Sequence, residues 1–172
     1  MRTWRVLFLA GMWGCGESVE SDCATRAEAI RAAEKDLVAG GLEPDAEARS
    51  ALTRAYAEFA NACHEDSLTA EYLFRRADLL RSAGKFAEAV AQLRDVHDHF
   101  PEYPDRARCA FLVAFINEVE LMDRELAKAG YEQVLLLYPG TEEAAMAEQI
   151  LSTWGVSDEE LVRTFRSDGT PS

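Results

Sequence analysis

From Ala70 to Pro101, apolar residues recur every three or four positions, pause once and recur again. Leu73, Ala77 and Leu80 come first, Gly84 and Lys85 interrupt, and Phe86, Ala89, Val90, Leu93 and Val96 resume until Pro101. A period near 3.6 marks one face of an α-helix, and the glycine and proline mark where helices stop. The stretch therefore predicts two antiparallel helices joined by a tight turn. Ala77 and Ala89 let the backbones approach closely, while Phe86 and Leu93 supply bulk for neighbouring helices to bury. One pair cannot cover both of its own faces, so the pattern implies a stack of such pairs.

The same period continues on both sides. Ala29, Ile30, Ala33, Leu37 and Val38 share a face of a helix over 24–39, which Gly40-Gly41 ends. Pro44 suits a first helical turn, and Ala48, Leu52, Ala55, Tyr56, Phe59 and Ala62 carry a second helix to about Cys63. Asp66 or Ser67 would cap the helix that follows. Beyond the central pair, Thr141, Glu142 and Glu143 open a helix in the way the macrodipole favours; Ala144, Ala147, Ile150, Leu151 and Trp154 form its apolar side. After Gly155, Ser157 and Glu160 make a capping box for a short last helix bearing Leu161, Val162 and Phe165. Residues 167–172 carry no apolar side chain and should fray. The expectation is an all-α protein of about eight helices.

The pattern also repeats. Ala114, Ala127, Tyr131, Val134 and Pro139 restate the small, small, aromatic, aliphatic, proline order, and Pro101 to Pro139 is a step of 38. Ala77 to Ala114 is a step of 37, so most of the extra length lies in the connection PEYPDR and one residue lies between the second pair's helices. Met122 and Arg124 stand where Gly84 and Phe86 stood, and Ala147 follows Ala114 by 33. With Ala70 as first position, Leu73, Ala77, Leu80, Gly84, Phe86, Ala89, Leu93 and Pro101 fall on the signature positions of the tetratricopeptide repeat, a unit of about 34 residues. Arg76 and His97 depart from it, standing where the repeat usually has large apolar residues. The chain from Asp66 to Phe165 resembles small tetratricopeptide lipoproteins of the bacterial envelope, relatives of the outer-membrane assembly lipoprotein and of the periplasmic coordinator of the Tol-Pal system. That resemblance implies a right-handed superhelical stack over 24–166 and a scaffold that holds other proteins; it brings no catalytic residue and no cofactor.

The first fifteen residues differ from the rest. Arg2 and Arg5 precede the apolar run Val6–Ala10, and the segment ends in Met12-Trp13-Gly14-Cys15. This is the form of an export leader; the run is too short to span a bilayer, which takes about 20 residues. A small residue before a cysteine resembles a lipoprotein cleavage box, so Cys15 is the candidate for acylation and the lipid bilayer a candidate partner. The other readings are a plain secretory signal, giving a soluble periplasmic protein, or a start codon placed too early. GESVESD, in the block 16–23, reads as a short tether.

Removing the leader takes two of the 18 basic residues, leaving 16 against 31 acidic, a balance of −15. Such a charge repels nucleic acid, and without a basic stripe or a glycine-rich phosphate loop neither nucleic acid nor nucleotide is an expected partner. Cys23 and Cys63 are candidates for a disulfide. In a helical hairpin turning near residues 41–43, positions whose numbers sum to about 84–86 lie side by side, and these sum to 86. The alternative is that each is a small buried apolar residue, the reading favoured for Cys109. His64-Glu65-Asp66-Ser67 holds the residue types of a hydrolase, but sequence neighbours at a helix junction seldom converge on one reacting atom. His97 and His99, two apart, point in different directions on a helix and are expected at its solvated C-terminal end, with no metal between them.

In stacked repeats the first helix of each pair lines the concave face. Taking Ala77 and Ala114 as equivalent, the partner groove is expected at Phe74, Arg75, Asp78 and Arg81, and at Phe111, Phe115 and Glu118. Exposed aromatics beside arginine have the composition of a binding hot spot; the bland alternative is that Phe111 and Phe115 pack against neighbouring helices. The expected function is a membrane-tethered periplasmic scaffold serving envelope protein partners, on an outer-membrane lipoprotein facing the periplasm. The other function in play is an envelope protein that takes a small molecule or glycan in its helical groove.

Overall fold

Seven α-helices and no strand make up the described part of the chain: α1 Gly16–Ala39, α2 Ala46–Ala62, α3 Thr69–Ser82, α4 Phe86–His99, α5 Arg106–Val119, α6 Arg124–Leu137 and α7 Glu142–Ser152. The computed structural model describes residues 16–39 and 45–156. The leader with Cys15, the turn at Gly40-Gly41 and Pro44, the eighth helix expected around Leu161, Val162 and Phe165, and the tail lie outside the described residues. Two compact units divide the chain, 1–69 and 70–172.

The first unit is the α1/α2 hairpin. Asp45 caps α2, its carboxylate accepting from the Glu47 N–H at 3.1 Å. Helix α1 begins at Gly16, so the expected tether over 16–23 is helical from Gly16 on. Its inward face differs in part from the expected one: Ile30 is buried and Leu37 half-buried as expected, but Ala29, Ala33 and Val38 are exposed, while Cys23 and Ala27 are buried. The spacing 23, 27, 30, 34 still follows a helical period, rotated so that Cys23 and Glu34 face α2. Cys23 is joined to Cys63 by a disulfide, with the Cα atoms 5.9 Å apart, and the Tyr56 hydroxyl donates to Glu34 Oε1 at 2.6 Å. A covalent tie at one end and a charged-acceptor hydrogen bond farther along set the rotation of α1, where apolarity alone left it loosely specified. At the exit, the Asp66 carboxylate accepts from the Leu68 N–H at 2.8 Å and the Thr69 hydroxyl donates to the Cys63 carbonyl at 2.6 Å.

The second unit is a stack of antiparallel helices in two layers, with α3, α5 and α7 in one and α4 and α6 in the other. Small residues sit at the crossings: Ala77, Ala89, Ala114, Ala127 and Ala147 are all essentially inaccessible. Around them a core forms from Phe111, Tyr131 and Val134, with Leu135, Ile150, Leu151 and Trp154 packed against it. Tyr131 is fully buried, and its hydroxyl donates to Glu118 Oε2 at 2.8 Å, so its polar end is satisfied. Asp123 and Thr141 cap α6 and α7 through their side chains.

The two tight turns show how far the repeat pattern carries. Gly84, between α3 and α4, has φ +74°, a left-handed conformation that glycine takes without a Cβ penalty. Met122, between α5 and α6, takes φ +56° although it has a full side chain. The substitution noted in the sequence thus preserves the backbone form of the turn. The extra residue is absorbed by a wider closure, with the Asp123 N–H reaching the Asn117 carbonyl at 2.7 Å where the Lys85 N–H reaches the Leu80 carbonyl at 2.9 Å.

Two measurements bear on this account. Met122→Gly should raise stability by about 1 kcal/mol, since left-handed backbone costs a β-carbon residue about 1–2 kcal/mol and glycine's extra unfolded-state entropy returns only part; urea denaturation reads the change, and a loss of stability would mean the Met122 side chain holds the turn. The Cys23–Cys63 bridge closes a loop of sequence separation 40, for which chain entropy gives roughly 3–4 kcal/mol. Cys23→Ser with Cys63→Ser should therefore lower the unfolding free energy under oxidising conditions by about that amount, read as a lower denaturation midpoint. Equal midpoints for the double variant and the untreated protein would show that the bridge does not stabilise the fold.

Candidate interaction face of helices α3 and α5

Helix α3 meets α5 where Phe74 lies against Arg108 and Arg81 against Phe115. The structure brings most of the expected groove residues together here, but gives several of them other work. Phe74 and Phe111 are buried, not exposed. Phe111 packs in the core against Tyr131, ring centroids 5.5 Å apart, and Phe115 stacks beside it at 6.4 Å, half-buried. Glu118 accepts the Tyr131 hydroxyl. Burial in the stack, which the bland alternative anticipated, draws these aromatics inward because α5 has helices on either side of it.

Arginines lie over aromatic rings at the joints between helices. The Arg108 guanidinium sits 5.3 Å from the centre of the Phe74 ring, that of Arg81 5.4 Å from Phe115, and that of Arg124 4.7 Å from Trp154. Arg81 also reaches Glu120, Nη2 to Oε1 3.5 Å, and is half-buried, so it is not the free surface group that its position on the groove suggested. Attraction of a cation to a ring face is worth about 0.5–1 kcal/mol at an exposed site. In this unit it ties α3 to α5, and α6 to Trp154 just past the end of α7.

Arg75 is exposed, and its Nε donates to Glu71 Oε1 at 2.6 Å. The other oxygen of Glu71 accepts from the Tyr103 hydroxyl at 2.8 Å. Burial alone would push the Glu71 carboxyl up; the bonds from Tyr103 and Arg75 and the charges of Arg75 and Arg108 outweigh it and hold the group below the usual glutamate range. The Tyr103 phenol is pushed up, first by burial and then by the carboxylate it faces. Tyr103 belongs to PEYPDR, the connection whose extra length was legible in the sequence. That insertion supplies a ring 6.1 Å from Phe74 and a hydroxyl for Glu71. Sequence reasoning missed Tyr103, Arg108, Glu71 and Glu120 on this face, and the unexplained extra length was the available signal for the first.

Asp78 is different. It is exposed, and among the described residues it forms no hydrogen bond or ion pair. Its carboxyl is nevertheless pushed up, by burial first and by Glu71, against the opposing pull of Arg108 and Arg81. Accessible surface and desolvation coexist where a side chain stands in a hollow with protein on several sides. Asp78 is thus the one expected groove residue that remains open with its polar atoms uncommitted.

The histidines and the junction acids are also placed. His64 and Glu65 are exposed, 3.9 Å apart, and Asp66 is spent on its turn. His99 is exposed and bonds back to Asp95, but His97 is not at the solvated end expected of it. Its ring is drawn between Asp98, Nδ1 to Oδ1 2.6 Å, and the Tyr138 hydroxyl, at 2.7 Å from Nε2. Arg76, the other departure from the repeat pattern, hydrogen-bonds Gln92. Cys109 is a free, buried thiol pushed up to about 12 by burial, then by Asp105. Among the described residues no group of three or more His, Cys, Asp or Glu is arranged to hold a metal ion, and no helix is long and apolar enough to cross a membrane.

Residues 71–103 match the family model described as Tetratricopeptide repeat. No curated protein matches the chain. The matched segment covers most of α3, all of α4 and the connection as far as Tyr103.

The state of Asp78 yields a test. A folded-state pKa raised above the unfolded value means the fold is favoured while the carboxyl is protonated and loses that contribution as pH rises through the carboxylate range. Asp78→Asn should therefore melt at a higher temperature than the parent at pH 7, with the gap closing as pH falls towards about 3. A variant that melts lower at pH 7 would show that Asp78 is a structural partner.

Proposed function

We propose that this protein is a scaffold of the bacterial cell envelope, tethered to the outer membrane through an acylated Cys15 and holding partner proteins on its helical stack. The repeat unit carries the reading: residues 71–103 match the tetratricopeptide repeat, and such repeats mediate protein–protein interactions by stacking helix pairs into an extended surface. The open, uncommitted carboxylate of Asp78 on the α3/α5 face gives a partner something to bind. The leader pattern of 1–15 and the Cys23–Cys63 disulfide support export, because disulfides persist in oxidising compartments such as the periplasm. Two or three acyl chains on one thiol would anchor the protein far more firmly than a single chain does.

The experiment joins both halves of the reading. In a Gram-negative host the full chain should fractionate with membranes as a form beginning at a modified Cys15, and Cys15→Ala should leave the membrane fraction or remain unprocessed. A photo-crosslinking amino acid at Asp78 should give discrete protein adducts, and the same probe at exposed Glu88 should not. Identical processing and membrane retention of Cys15→Ala would end the lipoprotein reading, and no adduct at Asp78 would end the proposed use of this face.

A further inference from the structure

Six large apolar side chains lie exposed between Val119 and Leu137, out of eight in the described chain, and α6 with the turn before it holds five of them. Met122 and Leu136 are 76% and 78% accessible, and Leu126 and Leu137 about half. Burial of Ala127, Tyr131 and Val134 already accounts for the inner face of α6, so exposed Leu126 and Leu137 mark a second stripe along the helix. Along it Leu126, Gly130, Gln133 and Leu137 recur at intervals of four, three and four, the spacing of a single helical face. No charged residue falls on that stripe in a chain of net charge −13.

Leu126, Gly130 and Gln133 of the stripe, with Ala129, form one wall of a cleft of about 270 Å³, whose floor includes Ala110 and Val113 of α5 and whose other wall is α4 through Arg94, His97 and Asp98; the stripe continues past the cleft to Leu137. The floor comes close because α5 and α6 touch at their smallest residues: a Cβ added to Gly130 would lie 2.8 Å from Ala114 Cβ. One end is held by the His97–Tyr138 hydrogen bond between α4 and α6, so the width of the cleft is set before anything enters. On the α4 rim Asp98 is committed to His97, whereas Arg94 is exposed and has no ion pair or hydrogen bond among the described residues. On the α6 rim Glu125 is likewise exposed and unpaired, and Glu132 meets Lys128 only at 3.8 Å.

The geometry points to the α4–α6 cleft as the docking groove for an amphipathic helix of a partner protein, with an apolar ridge on the Leu126–Leu137 stripe, an acidic edge against Arg94 and a basic edge towards Glu125 and Glu132. Three turns of partner helix match the length of the stripe, with anchors at i, i+4 and i+7. An uncharged strip between rims of opposite uncommitted charge selects such a helix over an extended acidic or basic tail, which would leave the apolar wall uncovered. This rests on the scaffold reading and adds to the Asp78 face a second docking surface, lined by α4, α5 and α6.

The probe is a fluorescein-labelled synthetic 18-residue helix with a leucine ridge, glutamates on one edge and lysines on the other; a second peptide carries lysines on both edges. The first should bind the full mature chain saturably at micromolar concentration. Leu126→Arg should weaken it at least tenfold, and Arg94→Glu at least fivefold while strengthening the all-lysine peptide. Both residues are exposed, so circular dichroism should show unchanged melting; if Leu126→Arg does unfold, Gln133→Trp, which fills the groove from an exposed position, must give the same loss. Unchanged affinity in a folded variant overturns the inference, as does a failure of Arg94→Glu to favour the all-lysine peptide. Leu126-dependent dimerisation in sedimentation would replace the partner helix with a second copy of this chain. Tighter peptide binding after truncation at Val156 would replace it with the protein's own C-terminal segment. Retained crosslinks at Asp78 alongside a failed groove leave the scaffold standing, whereas their loss counts against the α3/α5 face and not against the groove.

Discussion

The second unit depends on how closely α5 and α6 approach, and that is decided at one contact. Ala114 has no accessible surface, and the space where Gly130 would carry a β-carbon is already occupied by Ala114. Helix axes brought this near leave room around them only for side chains of the right size. Phe111, Tyr131 and Val134 fill it, and Trp154 packs over Tyr131 with ring centres 6.1 Å apart. A glycine in a helix interior costs about 1 kcal/mol relative to alanine; here the cost is offset by dispersion contacts that a wider crossing would lose, since core packing tolerates little extra volume.

Once the crossings are set, polar groups fix the remaining freedom. Arginines over Phe74, Phe115 and Trp154 hold helices that pack mainly through small apolar residues and would otherwise slide. The phenols of Tyr103 and Tyr131 are pushed up by burial and by the carboxylates they donate to, so both stay protonated donors across the ordinary pH range. The face of α3 and α5 is therefore largely satisfied within itself, and Asp78 stands out because it has no hydrogen bond or ion pair among the described residues, only the more distant charges of Arg108 and Arg81.

Residues that depart from the repeat pattern each carry a particular interaction. Arg76 meets Gln92, which is itself buried; His97 bridges Asp98 and Tyr138; Met122 adopts the backbone angle that glycine supplies in the preceding turn. Two of these replace an apolar contact by a hydrogen bond between helices, which makes the joint directional. The third leaves an exposed apolar side chain at the start of the α6 stripe.

Among the described residues the sequence by itself determined seven helices and their order, though not where α1 begins, with the turns at Gly84 and Met122 and the small residues at the crossings, because periodicity, glycine, proline and alanine spacing are properties of the chain read locally. It also brought Cys23 and Cys63 to one level, since a hairpin's geometry follows from where it turns. Tertiary structure alone decided which way each face points. In α1 the choice between Ala29 or Ala33 and Ala27 or Glu34 depended on a partner helix and a disulfide. In α3 and α5 the same amphipathic pattern suits a groove or a core, and Phe74, Phe111 and Arg81 went inward because neighbours were present to cover them. Exposure is a property of pairs of elements, and a single helix does not encode it.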